Sequence, residues 1–280
     1  MQLKSLLIKT YFLLNRIFVK ILPVGYMYFW PSKSFLFVKY KTKSELSETL
    51  RLYWPDKFDT AYLRAGSDGD GGYIIPKASI DIMFSAGVDK NIDFEFDITT
   101  KFDCPIYMLD RSVDRLPINH TNFNFRKLWL GCSNNEETIS INHWIRSYNT
   151  HNSKNAALKI DIEGAEYSVI ECLEDDLQKN FVWIVCEFHS FENILAREDK
   201  ITKTINKILS THDVFHIHPN NLRKPFRRYG FVVPTDIEFT FLRKDLSTRA
   251  LGYAKLPNLK DFDNTNHDPV VLNWVEGNHD

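Results

Sequence analysis

The chain has 280 residues, 44% of them hydrophobic, enough for one large domain or two small ones with a substantial core. Its net charge of −1 speaks against nucleic acid as a partner. Aromatics reach 14%, a level that suits carbohydrate or aromatic ligands as well as ordinary core packing.

The near-neutral total hides an asymmetry. Residues 1–43 carry eight basic side chains and no acid, so the remainder carries −9. Within them, residues 5–22 read SLLIKTYFLLNRIFVKIL, with Lys9, Arg16 and Lys20 on one helical stripe and an apolar remainder. Three charges interrupt a span that needs about 20 apolar residues to cross a bilayer, and no small-residue cleavage site follows. The segment is expected to be a basic amphipathic helix lying on a membrane surface. A helix packed on the domain and an uncleaved signal-anchor are the alternatives. Tyr26, Tyr28, Phe29 and Trp30 suit a membrane interface or a core. The expected division is therefore 1–43 as an N-terminal extension and 44–280 as one domain.

A helical pattern opens that domain and ends at the Pro55-Asp56 turn. GSDGDGGYIIP (66–76) follows, a glycine-rich turn able to approach a ligand closely, with Asp70 as a candidate cofactor contact. Beyond it, apolar runs near 80–86, 104–109, 125–131, 156–162, 181–188, 213–218 and 237–243 read as strands. Helical patterns near 91–101, 136–147, 165–177 and 193–211 separate them. Such alternation predicts an α/β fold with a doubly wound, mostly parallel sheet.

Ligands of such sheets bind at the carboxyl ends of the strands, and chemistry-bearing residues gather there. Gly87 follows the first strand and permits a tight turn. Asp110 ends the second, where nucleotide-binding sheets place an acid on ribose hydroxyls. No GxGxxG is present, so a cofactor with a ribose but no pyrophosphate fits better than NAD. The fourth strand runs into Asp161, Glu163 and Glu166 around Gly164, and acids at that point are costly to bury without partners. The fifth ends in Glu187 and His189, two residues apart and so on one side. With Asp161 they form a cluster able to hold a divalent metal, Mg or Mn, or to supply a general base. His216 and His218 alternate on the next strand as a second metal candidate. His218, Asn220 and Asn221 are candidate substrate contacts suited to a polyol.

The four cysteines, Cys104, Cys132, Cys172 and Cys186, form no CxxC pair and fall in or near apolar runs. They read as reduced, buried small hydrophobes, which favours a reducing compartment and a cytoplasmic, membrane-peripheral location.

In series, GDGGYIIP (69–76), FSAGVDKNIDFEFD (84–97), YMLD (107–110), LGCSNNEETI (130–139), LKIDIEGAEY (158–167), CEFH (186–189), HIHPNN (216–221) and EFTFLRKD (238–245) resemble the FkbM-like family of S-adenosylmethionine-dependent methyltransferases. The resemblance covers roughly residues 60–275. It implies a Rossmann-like methyltransferase sheet, S-adenosylmethionine as cofactor, and O-methylation of a hydroxyl on a sugar or glycolipid acceptor. Carried over by position, it implies that Ser85, Gly87 and Asp89 line the methionine end of the cofactor. Asp110 would hold the ribose and Ser133 would lie near the adenine. Asp161 and Glu163 would face the reacting centre, with Glu187 and His189 alongside.

Two other readings stay open. Asp68-Gly69-Asp70 is a DxD-like triplet of the kind a nucleotide-sugar glycosyltransferase uses to hold a metal. A single glycine after the first strand also suits a non-catalytic membrane-surface module built on a degenerate methyltransferase fold.

Overall fold

The computed structural model describes residues 24–29, 34–148 and 155–275. A seven-stranded sheet organises the domain: β1 (Ile82–Ala86), β2 (Ile106–Leu109), β3 (Phe123–Arg126), β4 (Ala156–Ile160), β5 (Phe181–Phe188), β6 (His212–Pro219) and β7 (Ile237–Arg243). Their spatial order is β6-β7-β5-β4-β1-β2-β3. All neighbours pair in parallel except at β7, which runs antiparallel to both β5 and β6. The doubly wound, mostly parallel sheet is thus as expected. The chain winds outward from β1 through β2 and β3, then restarts at β4 on the other side of β1. In open α/β sheets such a reversal, here at the carboxyl ends of β1 and β4, is the place where ligands bind.

The strands are apolar because both faces are covered, as parallel sheets require. Every residue of β1, β4 and β5 is buried. On one face Phe84, Leu158, Ile160, Cys186 and Phe188 pack against α1 (Lys43–Leu52), α3 (Ile141–Ser147), α4 (Glu166–Cys172) and α6 (Lys200–Leu209). On the other, Met83, Ala157, Trp183 and Val185 meet Phe94 and Ile98 of α2 (Asp93–Phe102), together with Tyr73 and Ile75. The apolar positions of α6, Ile201, Ile205 and Ile208, are buried at helical spacing, and Asp199 caps it by accepting from Thr202 N at 2.6 Å. The helix expected over 165–177 is split: α4 stops at Cys172, and a short α5 (Asp175–Gln178) resumes.

Tyr73 and Ile75 belong to an antiparallel hairpin, Tyr62–Ala65 with Tyr73–Pro76. Its connecting turn, read above as flexible, is pinned. Arg64 Nη2 donates to Ser67 O at 2.8 Å and Gly69 O at 2.9 Å, and Thr240 Oγ1 of β7 donates to Ile74 O at 2.6 Å. The DGGY residues are therefore a fixed wall over the β5–β7 end of the sheet.

The helix expected over 5–22 lies outside the described residues, as does Trp30. Val24–Phe29 and Ser34–Lys39 form an antiparallel hairpin, so Tyr26, Tyr28 and Phe29 sit on a strand. Tyr40 bridges to Ala196. Lys41 is buried with its Nζ on Ile194 O (2.7 Å), Ala196 O (2.8 Å) and Asp199 Oδ2 (2.5 Å), which fixes the entry to α1. Among the described residues no helix is long and apolar enough to cross a membrane.

The cysteine reading needs correction. Cys104 and Cys186 are free and buried, but Cys132 and Cys172 form a disulfide across 40 residues. It ties the end of the Trp129–Gly131 strand to the last residue of α4. Cys132 lies past its strand and is exposed, and only the folded crossover brings Cys172 to it. Disulfides persist in oxidising compartments, so the cysteines no longer support a reducing one. A loop of this length contributes about 4 kcal/mol in the chain-entropy account. The double variant Cys132→Ser, Cys172→Ser is expected to unfold at clearly lower denaturant than the parent, with reductant shifting only the parent. Equal midpoints would contradict the bridge.

Candidate active site

The site forms where β4 and β5 end. Lys159 and Asp161 alternate with the core residues Leu158 and Ile160 and so face the α2 side of the sheet. Lys159 is buried, donates to Gly87 O, and lies 3.8 Å from Asp161 Oδ2. Asp161 Oδ2 also accepts from Tyr73 OH at 3.2 Å. The hairpin, β1 and β4 thus converge on one carboxylate.

Gly87 explains how they meet. Its φ is +77°, and a Cβ there would stand 1.5 Å from Asp161 O. The glycine lets the two strand-end loops pass in contact. Its close approach is therefore to protein backbone, whereas the sequence suggested a ligand. Gly87→Ala is expected to cost more than about 1 kcal/mol of stability and to displace Asp161. Melting temperature and turnover should fall together, and a variant with parental turnover would contradict this.

Asp161, Glu187 and His189 come together as expected: one ligand atom from each lies within 4.8 Å of the others. His189 is set by a residue to which the sequence gave no role. Glu166 opens α4 and is completely buried. Its Oε1 accepts from Ile162 N and Gly164 N, both at 3.0 Å, and faces His189 Nδ1 at 3.0 Å. The other ring nitrogen points to the reacting side, 4.0 Å from Asp161 Oδ1 and 3.4 Å from the exposed Glu163. Burial alone would lower the imidazole pKa. The hydrogen bond and charge of Glu166, with Glu187 and Asp161, outweigh it and raise the pKa to about 9. Burial likewise raises Asp161, against the pull of Lys159 and His189.

Glu187 is the middle of a polar row that crosses the sheet. It stands opposite Glu238 of β7, and Glu238 stands opposite His218 of β6. Burial, then Asp161 and Glu238, push Glu187 well above the usual carboxylate range. Burial raises Glu238 to about 7 against the relief from His218. Two adjacent buried acids are destabilising as packing, which makes the row a candidate part of the site. Glu238 had a signal, a lone acid in an apolar strand, but its neighbours are set by strand order.

The other expected contacts divide. Asn220 joins the site, its Nδ2 donating to Glu187 Oε1 at 3.0 Å. Asn221 does not: its amide is spent on Thr265 N (2.8 Å), Thr265 O (3.0 Å) and His267 O (2.9 Å), holding a C-terminal strap. His216 pairs with Asp261 of that strap at 2.9 Å, and His218 lies 3.8 Å from the same carboxylate. His216 thus anchors the strap, with His218 beside the same carboxylate. Ser85 is wholly buried and bonds Glu95 Oε1 at 2.5 Å, so it lines no open surface. Asp110 follows β2 directly but spends its carboxylate on Val88 N (3.0 Å), Asp89 N (2.9 Å), Ser112 N (2.7 Å) and Ser112 Oγ (2.6 Å). It shapes the loop after β1 with four bonds that the sequence reading did not foresee. Asp89 is exposed on that loop, and Ser133 is exposed beside the disulfide. Asp70 accepts from Asn264 Nδ2 at 3.1 Å, while its neighbour Gly71 packs by Asn91.

A family model covers part of this centre. Residues 131–233 match the methyltransferase FkbM domain. The FkbM-like resemblance read from the motifs is borne out over that stretch, which holds Asp161, Glu163, Glu166, Glu187, His189 and the HIHPNN segment. Gly87, Asp110 and Glu238 lie outside the FkbM match. In structure the chain is similar to the fibrillarin pre-rRNA processing protein of Methanococcus jannaschii, at 8% identity and a TM-score of 0.34, over 80% of this chain and 99% of that one. The fold assignment rests on the strand order instead. No curated protein gives a significant match.

Proposed function

We propose that this FkbM-like methyltransferase uses S-adenosylmethionine to O-methylate a hydroxyl of a sugar or glycoconjugate. The observation that carries the reading is the cluster of Asp161, Glu187 and His189 beside the carboxyl ends of β1 and β4, with His189 oriented from behind by Glu166. A nucleophile's base held by a third group is the arrangement proton abstraction needs.

This place suits the cofactor by charge. Asp89, Asp161 and Glu163, at the ends of β1 and β4, would offer carboxylates to a ligand whose ammonium and sulfonium groups are both cationic, and the family resemblance puts the adenine near Ser133. When bound, the cofactor supplies an electrophilic methyl group. Asp161 takes the proton from the acceptor hydroxyl; His189, its pKa raised to about 9, is charged at neutral pH and can take that part only at higher pH, while Asn220 and Glu187 offer hydrogen bonds to neighbouring hydroxyls. Tyr73 and Lys159 fix Asp161 so that the base and the attacking oxygen meet in one geometry. The donor set of two carboxylates and one imidazole fits a divalent ion such as Mn or Mg. Held there by Asp161, Glu187 and His189, it would lower the pKa of a bound hydroxyl.

The test is methyl transfer from labelled S-adenosylmethionine to a panel of mono- and oligosaccharides, with and without Mn or Mg, read by mass spectrometry. Label appearing on a sugar oxygen is the expected result. Label confined to non-carbohydrate acceptors would overturn the acceptor class.

A further inference from the structure

The loop that carries Asn220 into the site continues as Asn221-Leu-Arg-Lys-Pro and lines a cavity of about 670 Å³ on its far side. That volume is in the range of small-molecule sites. Three permanent cations, Arg223, Lys224 and Arg227, line it against one acid, Asp268. Arg223 is committed: its Nε donates to Asp236 Oδ2 at 2.8 Å. Lys224 and Arg227 are exposed and make no ion pair among the described residues. The rest of the wall mixes apolar residues, Pro225, Pro269 and Val271 among them, with the polar Asn266 and His267 of the strap that Asn221 holds.

The wall of the cavity is tied to the candidate active site by hydrogen bonds. Asp236, which fixes Arg223, also accepts from Ser190 N at 3.3 Å, and Ser190 follows His189 directly. Arg223 is near enough to Glu163 to feel its charge. A ligand spanning the two would place one end against His189 and the other against Lys224 and Arg227.

We propose that this cavity binds an oxyanion group, a sulfate, phosphate or carboxylate, on a sugar of the acceptor adjacent to the one being methylated. Two cations without an ion pair among the described residues, beside proline and valine, suit a charged substituent on a ring whose CH face packs against those apolar side chains. The assignment rests on the methyltransferase reading for its acceptor and on the cavity alone for its charge. It makes the enzyme selective for acidic over neutral glycans.

The test is a calorimetric titration of the full chain with a heparin-derived sulfated tetrasaccharide, the same tetrasaccharide fully desulfated, and sodium sulfate. S-Adenosylhomocysteine is titrated in parallel. The sulfated sugar is expected to bind at least about tenfold more tightly than the desulfated one, a difference of about 1.4 kcal/mol. The double variant Lys224→Ala, Arg227→Ala should abolish that preference and leave S-adenosylhomocysteine affinity unchanged. Equal binding of both sugars, or a variant that keeps the preference, would overturn the proposal. Sulfate alone binding as tightly as the sulfated sugar would also overturn it, in favour of a free-anion site. Sulfate selectivity without S-adenosylhomocysteine binding would instead overturn the methyltransferase reading and leave the anion site standing.

Discussion

Glu166→Ala is expected to cost about 3 kcal/mol of unfolding free energy, the scale of breaking a buried charged pair, and most of the turnover. Glu166 is fully buried, and one oxygen serves two loop amides and His189. Alanine leaves all three without that acceptor at the point where β4 turns into α4. Glu166→Gln separates the two roles. An amide oxygen still receives Ile162 N and Gly164 N, so most stability should return, but the charge that holds His189 is gone. The sign of the pH dependence follows. His189 is raised from 6.5 to about 9, so it adds stability that is fully present below about pH 6.5 and fades as pH rises through about 9. The glutamine variant should lose that alkaline slope. Denaturant unfolding from pH 6 to 10, with turnover measured on each variant, checks both points. A glutamine variant with parental turnover and an unchanged slope would contradict the orienting role.

Asp161→Asn is expected to lower turnover by about 10²–10⁴-fold, the usual weight of a positioned acid or base, while leaving the fold intact. The carboxylate is held in a buried setting that raises its pKa, so it is maintained against the preference of its surroundings. Asparagine keeps the shape and the acceptor for Tyr73 OH but removes the charge. Its melting temperature should equal or exceed that of the parent, the mark of a residue kept for chemistry at some expense of stability. His189→Ala should reduce turnover on the same scale. Full turnover in both folded variants would remove them from the mechanism.

The sheet could be read in advance because its strands are buried on both faces and so appear as apolar runs of the right length. β5, FVWIVCEF, and the α6 pattern of Ile201, Ile205 and Ile208 are the clearest cases. The direction of β7 could not be read, since periodicity is the same for parallel and antiparallel strands. Nor could the pinning of the DGGY turn, because Arg64 bonds carbonyls that only the folded turn brings back to it and Thr240 reaches the hairpin from β7. The acids at the ends of β4 and β5 were visible as charges interrupting apolar runs. Of their supporting groups, Glu166 was visible as one of those acids but not as the partner of His189, and Lys159, Tyr73 and Glu238 looked like single polar residues until strand order supplied a partner. Ser85 misled for the converse reason. The family resemblance implied a cofactor contact there, and only the position of buried Glu95 on α2 shows where its hydroxyl goes. The disulfide belongs with these: two cysteines 40 residues apart carry no local sign of pairing.

The central claim is that the carboxyl ends of β1 and β4 take a sulfonium cofactor next to Asp161 and His189. It is tested most directly by calorimetric titration of the full chain with S-adenosylhomocysteine, with and without Mn or Mg, alongside Gly87→Ala. Micromolar binding that Gly87→Ala abolishes is the predicted result, and a dependence on the metal would make Asp161, Glu187 and His189 its ligands. No binding by the folded parent protein under either condition would contradict the account.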